Sequence, residues 1–229
     1  MTYCLVPMTV GEIQQLVGPT FADTFHVEVE KVLAPLRKYI DQGRPPSMGK
    51  EIWEYLVTDS IADSIPDAVW CGAGKGIADV RIGDDASIDV KSLQHDGNQT
   101  SEASMYQKLL KDDTAGYYKG FDKESLWKLL VKGWIKKIKS VKQYYLLVII
   151  RNKKTLQCSL IGFKVQDTGI EYDPDFFEAT QASMKVNCLI DPELAQIKIY
   201  RGKTRMEIRF EKKMYTDPAY SLPIYKGIK

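Results

Sequence analysis

The residues best placed to do chemistry lie in one stretch, Gly76–Leu93, which reads GIADVRIGDDASIDVKSL. Two β-type runs, Ile77–Ile82 and Ala86–Leu93, flank Gly83-Asp84-Asp85, and Gly-Asp clusters are turn chemistry. A three-residue loop closed by Ile82 opposite Ala86 sets Asp79 across from Asp89 and Ile77 across from Lys91. Residues i and i+2 share a strand face, so Asp89 and Lys91 point the same way. Two carboxylates and one ammonium then share one face, while Val80, Ile82, Ile88 and Val90 fill the other. A two- or four-residue loop would instead oppose Asp79 to Val90.

Like charges directly opposed on a sheet repel, and a divalent cation removes the conflict. Mg²⁺ takes oxygen ligands, often one or two carboxylates, and leaves its other positions to water and substrate phosphate. Lys91 beside it could hold or deprotonate an attacking water, or neutralise charge growing on a phosphate. The plainer alternative is an exposed hairpin face with a cross-strand salt bridge.

Asp79, nine intervening residues and then Asp89-Val90-Lys91 resembles the D…(D/E)xK signature of the PD-(D/E)XK nucleases. That superfamily includes most type II restriction endonucleases, resolvases and repair nucleases. The resemblance covers roughly residues 47–165. It implies an α/β fold with a mixed central β-sheet flanked by helices, and Mg²⁺-dependent hydrolysis of double-stranded DNA. A sequence-specific type II restriction enzyme is the first expectation, acting as a homodimer that meets a palindrome with two-fold symmetry. The alternatives are a recombination, repair or transposition nuclease of the same core, or a non-catalytic DNA-binding module. By this likeness Asp79, Asp89 and the Val90 carbonyl would ligate the metal and Lys91 would position the water. A literal Pro66-Asp67 precedes the hairpin, so Asp67 stands as the substitute first acid. Many relatives carry a supporting helix glutamate, and Glu54, set between Trp53 and Tyr55, fits that role better than Glu51.

The elements that must position these groups follow from composition and pattern. With 229 residues, 44% of them hydrophobic, the chain makes one globular domain. It divides into a helical N-terminal part (1–46), a catalytic core (47–165) and a C-terminal hairpin and tail (166–229). The four cysteines, Cys4, Cys71, Cys158 and Cys188, lack metal spacing, which reads as reduced thiols in a cytoplasmic protein. No apolar run is long enough to span a membrane. Thr9 caps a first helix through Val17, and Thr20 or Asp23 a second running to Ile40. Phe25, Val29, Val32, Leu33, Leu36 and Ile40 make one apolar stripe, as core or as a dimer surface. His26 and Glu30, one turn apart, read as a surface pair. After Arg44-Pro45-Pro46, Ser47 caps a helix to about Ile61 with Ile52, Trp53, Tyr55 and Leu56 as its apolar face. The run Gln143–Arg151, QYYLLVIIR, reads as a strand buried on both faces, turning through Asn152-Lys153-Lys154 into Leu156–Val165. Residues 166–193 read as irregular, a hairpin follows over Gln196–Tyr200 and Arg205–Phe210, and Met214 onward wraps the surface.

Net charge is only +2, so any DNA-binding surface must be local. Cys71-Gly-Ala-Gly-Lys-Gly76 lacks the first glycine and the Ser/Thr of a Walker loop, yet Lys75 could still touch phosphate. The polar loop Ser92–Thr100 offers Gln94, His95, Asn98 and Gln99 to DNA ahead of a helix over Glu102–Lys111. A lysine-rich helix, 124–142, could ride phosphates. The second hairpin carries Arg201, Lys203 and Arg205 at its tip, as a groove contact or as a charged edge.

Overall fold

The computed structural model describes residues 3–44, 48–71, 78–94, 99–104, 138–167, 183–191, 193–200 and 205–228, with four isolated positions between 125 and 136. The fold is mixed α/β. A central seven-stranded sheet runs in the order β1 (Tyr3–Pro7), β7 (Cys158–Asp167), β6 (Gln143–Arg151), β4 (Ala86–Gln94), β3 (Val80–Ile82), β2 (Ala68–Trp70). β11 (Leu222–Tyr225) shares the outer edge of β7 with β1. β4 and β6 are parallel and every other pairing in this sheet is antiparallel. A second sheet, all antiparallel, orders β5 (Gln99–Ser104), β10 (Arg205–Phe210), β9 (Ala195–Tyr200) and β8 (Ser183–Asn187).

Alternation along β4 and β6 divides the core into two layers. Ile88, Val90, Leu147 and Ile149 face the helices α1 (Val10–Val17), α2 (Phe21–Leu33) and α4 (Lys50–Ser64), against Ile13, Phe25, Trp53 and Ile61. Leu93, Leu146, Val148 and Ile150 face the second sheet, with Ile197, Ile208 and Phe210. The rings of Phe163 and Phe210 stack across that layer at 5.2 Å.

Several expectations hold. Thr9 caps α1, and its hydroxyl accepts the Glu12 N–H while Glu12 accepts the Thr9 N–H, a reciprocal box. Gln143–Arg151 is a continuous strand with almost every residue buried. The second hairpin forms in the expected place, here as the inner pair of a four-stranded sheet. Phe25, Val29 and Leu33 are fully buried, so the α2 stripe is core and offers no dimer surface.

Others are corrected. The helix expected to reach Ile40 stops at Leu33. A 3₁₀ turn over Ala34–Leu36 and a short α3 (Arg37–Ile40) follow, because Pro35 removes an amide and its ring crowds the preceding turn. Ile52 and Tyr55 are exposed, and α4 buries Trp53, Leu56, Val57, Ser60 and Ile61 instead. Ser47 and the rest of 45–47 lie outside the described residues. Ser92–Gln94 extend β4, and Gln99–Ser104 form β5, so neither the loop beginning at Ser92 nor a helix beginning at Glu102 exists. The N-terminal part is not all helix, since β1 joins the sheet. The 166–193 stretch contains β8, and the tail adds a short helix over Lys212–Thr216, with Met214 and Tyr215 buried, before β11.

Candidate active site

The hairpin register came out as the three-residue loop requires: Val80 opposes Ile88, Arg81 opposes Ser87 and Ile82 opposes Ala86. Gly83 carries a positive φ of 54° at the turn, a conformation glycine adopts without strain. The ladder does not reach Asp79, however. β3 ends at Val80, and the Asp79 N–H donates to the Ile88 carbonyl outside the regular pairing. The expectation that Asp79 lies squarely opposite Asp89 is therefore replaced by a different arrangement.

Beyond Val80, side chains take the place of the missing strand. The Val90 N–H donates to Asp79 Oδ2 at 2.7 Å, and the Ser92 N–H donates to Glu54 Oε1 at 2.9 Å. Alternate amides of a strand point the same way, about 6.5–7 Å apart. The two carboxylates thus continue the edge that β3 leaves bare. An unpaired buried amide costs about 1–3 kcal/mol, which is what these acids prevent. Glu54 reaches this edge from α4, whose neighbouring Trp53 is fully buried.

Asp89 and Lys91 lie on the second-sheet side of β4 and are 8% and 4% exposed. This burial excludes the solvent-facing hairpin. Lys91 Nζ donates to the Val90 carbonyl at 2.9 Å and stands 3.6 Å from Asp79 Oδ2. Asp89 Oδ2 accepts a hydrogen bond from the Tyr144 hydroxyl. Burial, and then the Asp89 charge beside it, push the Tyr144 phenol well above its ordinary pKa, so it stays a donor. On the helix side, Arg151 at the end of β6 donates from Nε to Ser92 Oγ at 2.9 Å. Its burial lowers its pKa while the Glu51 and Glu54 carboxylates partly restore it.

The structure thus brings Asp79, Asp89, Lys91 and Glu54 to one stretch of β4. Asp67 does not join them: its carbonyl accepts the Gly83 N–H at the turn end of the hairpin, and of the two aspartates it is Asp79 that stands beside Lys91. The Val90 carbonyl, expected as a metal ligand, here accepts the Lys91 ammonium. Gln94 ends β4 half-buried, and the backbones of Gln99 and Arg205 begin β5 and β10. Lys75, His95, Asn98, Arg201 and Lys203 lie outside the described residues, as does Ile77. Lys136 and Lys139 of the basic segment are helical and exposed. Lys142 is bound to Asp85 at 2.5 Å.

Tyr144 and Arg151 were not foreseen. In a strand that is apolar on both faces, alternation does not say which polar side chain turns toward a neighbour. The signal available was register: β6 runs parallel to β4, which puts Tyr144 beside Ser87 and Arg151 beside Gln94.

Among the described residues, no group of three or more His, Cys, Asp or Glu side chains is set to hold a metal. Two carboxylates of hard oxygen, with the remaining positions left to water and phosphate, nevertheless suit Mg²⁺. Among the same residues no helix is long and apolar enough to cross a membrane. No family model, curated protein or solved structure matches the chain.

Proposed function

We propose that the protein is a Mg²⁺-dependent endonuclease of the PD-(D/E)XK type that hydrolyses phosphodiester bonds of double-stranded DNA, as a homodimeric type II restriction enzyme. The observation that carries this reading is the convergence of Asp79, Asp89 and a buried Lys91 where β3 stops short of covering β4. A lysine this buried is costly, and its placement 3.6 Å from a carboxylate on an open strand edge suits a reaction that develops negative charge.

In this reading Asp79 and Asp89 hold the ion. Mg²⁺ bound there supplies Lewis acidity and lowers the pKa of a coordinated water. Lys91 orients the attacking water or balances charge on the phosphoryl oxygens. Tyr144 fixes one oxygen of Asp89 and so sets which oxygen faces the ion. Glu54 holds the Ser92 amide, and through it the strand beyond Lys91.

The test is nicking and linearisation of supercoiled plasmid in Mg²⁺, with DNA binding followed separately in Ca²⁺. Asp89→Ala is expected to abolish cleavage and keep binding, while Asp67→Ala leaves cleavage within about threefold of wild type. Full activity in Asp89→Ala, or no cleavage by the wild-type chain on any plasmid tried, would overturn the reading. A discrete band pattern distinguishes a restriction enzyme from a structure-specific nuclease.

A further inference from the structure

β2 is an outer strand of the central sheet, and among the described residues nothing pairs with its far edge. Edge strands are normally protected by charge, proline, a bulge or a covering segment. Ala68-Val69-Trp70 carries no charge and no proline. Val69 is 62% exposed on one face of the sheet and Trp70 47% on the other. Trp70 meets Tyr55 of α4 edge-to-face, with ring centroids 6.3 Å apart, and Ile52 lies one helical turn before Tyr55. Trp70 and Tyr55 meet on the helix face of this edge, with Ile52 on the same helix, and Val69 is exposed on the opposite face.

The backbone phase at β2 is fixed by its two flanking bonds. Cys71 N–H donates to the Asp79 carbonyl, and Gly83 N–H donates to the Asp67 carbonyl. In an antiparallel ladder this turns the Val69 amide and carbonyl inward to Arg81, and the amide and carbonyl of both Ala68 and Trp70 outward. The Ala68 N–H is already given to the Ile65 carbonyl.

From this we infer that β2 is the two-fold contact of a homodimer, pairing antiparallel with β2 of a second copy about an axis through Val69. That register makes one of the two hydrogen bonds possible in each Ala68–Trp70 pair. Each Trp70 N–H meets the partner's Ala68 carbonyl, while the Trp70 carbonyl faces an Ala68 amide already given to Ile65 and gains no donor from the partner strand. Side chains match as well. Each indole lies across from the partner's Ala68, large against small, while Val69 packs on the partner's Val69 as a non-hydrogen-bonded pair. A surface that complements itself about a two-fold axis is what an isologous interface requires. An unrelated strand would satisfy the hydrogen bonds but has no reason to supply alanine opposite tryptophan.

The pairing joins two central sheets into one. With strands about 4.8 Å apart, the two β3 strands lie about 14 Å apart and the two β4 strands about 24 Å apart. The axis is perpendicular to the sheet, so both copies of Asp89 and Lys91 open on the same side. That consequence for cutting two strands rests on the nuclease reading; the interface itself does not.

Sedimentation of the full chain tests the contact. Wild type is expected to dimerise with rising concentration. Val69→Lys, which inserts a charge at an exposed position, should weaken association about tenfold or more, with an unchanged circular dichroism spectrum and melting temperature. In a Cys71→Ser background, Val69→Cys should form a disulfide-linked dimer on mild oxidation, because paired Cα atoms about 4.5 Å apart lie within disulfide range. Ile190→Cys, exposed elsewhere, should not. A wild-type chain that stays monomeric, a dimer indifferent to Val69→Lys, or equal crosslinking at positions 69 and 190 would each overturn the inference. If plasmid cleavage is present, Val69→Lys should keep nicking while losing concerted linearisation. If cleavage is absent in wild type, the nuclease reading fails, and sedimentation and crosslinking still decide the dimer.

Discussion

Replacing Lys91 by Met separates a cation site from a mere internal ion pair. The substitution roughly conserves volume in a position 4% exposed. It deletes an attraction to Asp79 worth about 4–5 kcal/mol at 3.6 Å and an effective dielectric near 20, together with the hydrogen bond to the Val90 carbonyl. It also relieves the cost of holding an ammonium out of water, several kcal/mol. The balance is a net loss of about 2 kcal/mol without metal, or about 4–8 °C in Tm for a chain of this size. Mg²⁺ at a hundredfold excess over its Kd returns about 2.7 kcal/mol if it binds only the folded chain. In wild type, ion and ammonium compete for Asp79, so the gain is smaller. Thermal unfolding with and without MgCl₂ should therefore show a larger upward shift in Lys91→Met than in wild type, alongside a loss of cleavage. Equal shifts, or none in either protein, would refute the idea that these carboxylates form a cation site.

Two further outcomes follow from packing and titration. Glu30 on α2 accepts the Tyr225 hydroxyl at 2.6 Å and also binds Arg37. Its pKa lies below the ordinary value, chiefly through the Tyr225 bond and against the opposing effect of burial. The unfolded chain then binds more protons in this range. The contribution is complete above the unfolded value near 4.3 and is lost as pH falls through the lower folded value. Tyr225→Phe should flatten that acid limb in urea titrations between about pH 2 and 5, and an unchanged limb would contradict the assignment. Gly162→Ala should cost about 1–3 kcal/mol by overpacking. An added Cβ would meet Leu147, Ile13 and Met8 at 3.0–3.1 Å, where α1 rests on β7. A neutral result in chemical denaturation would show that these neighbours yield freely.

The parts legible in the sequence were those whose information is local. The hairpin register followed from one turn and an alternating pattern, and Thr9-x-x-Glu12 carried its own cap. β5 was misread because its partner is β10, about a hundred residues away. Strand propensity depends on such neighbours more than on the segment itself. α4 mixes polar and apolar residues around its circumference, with Glu51 and Glu54 interleaved among Ile52, Trp53 and Tyr55, so its pattern did not reveal that Trp53 turns inward while Ile52 and Tyr55 turn out. The residue types of the site were visible, but their bonds were not: no pattern shows a strand beginning only one residue after its acid.

That late start has a consequence for reading other sequences. Asp79 and Glu54 each satisfy a backbone amide of β4, so each has a reason to persist in a chain that has lost all catalysis. A degenerate copy could keep both acids simply because the edge of its sheet would fray without them. Lys91 is a donor and so satisfies no backbone amide: its ammonium meets the Val90 carbonyl and Asp79 and is held out of water at a cost. The lysine, more than either acid, is therefore the letter by which an active copy would be told from a silent one.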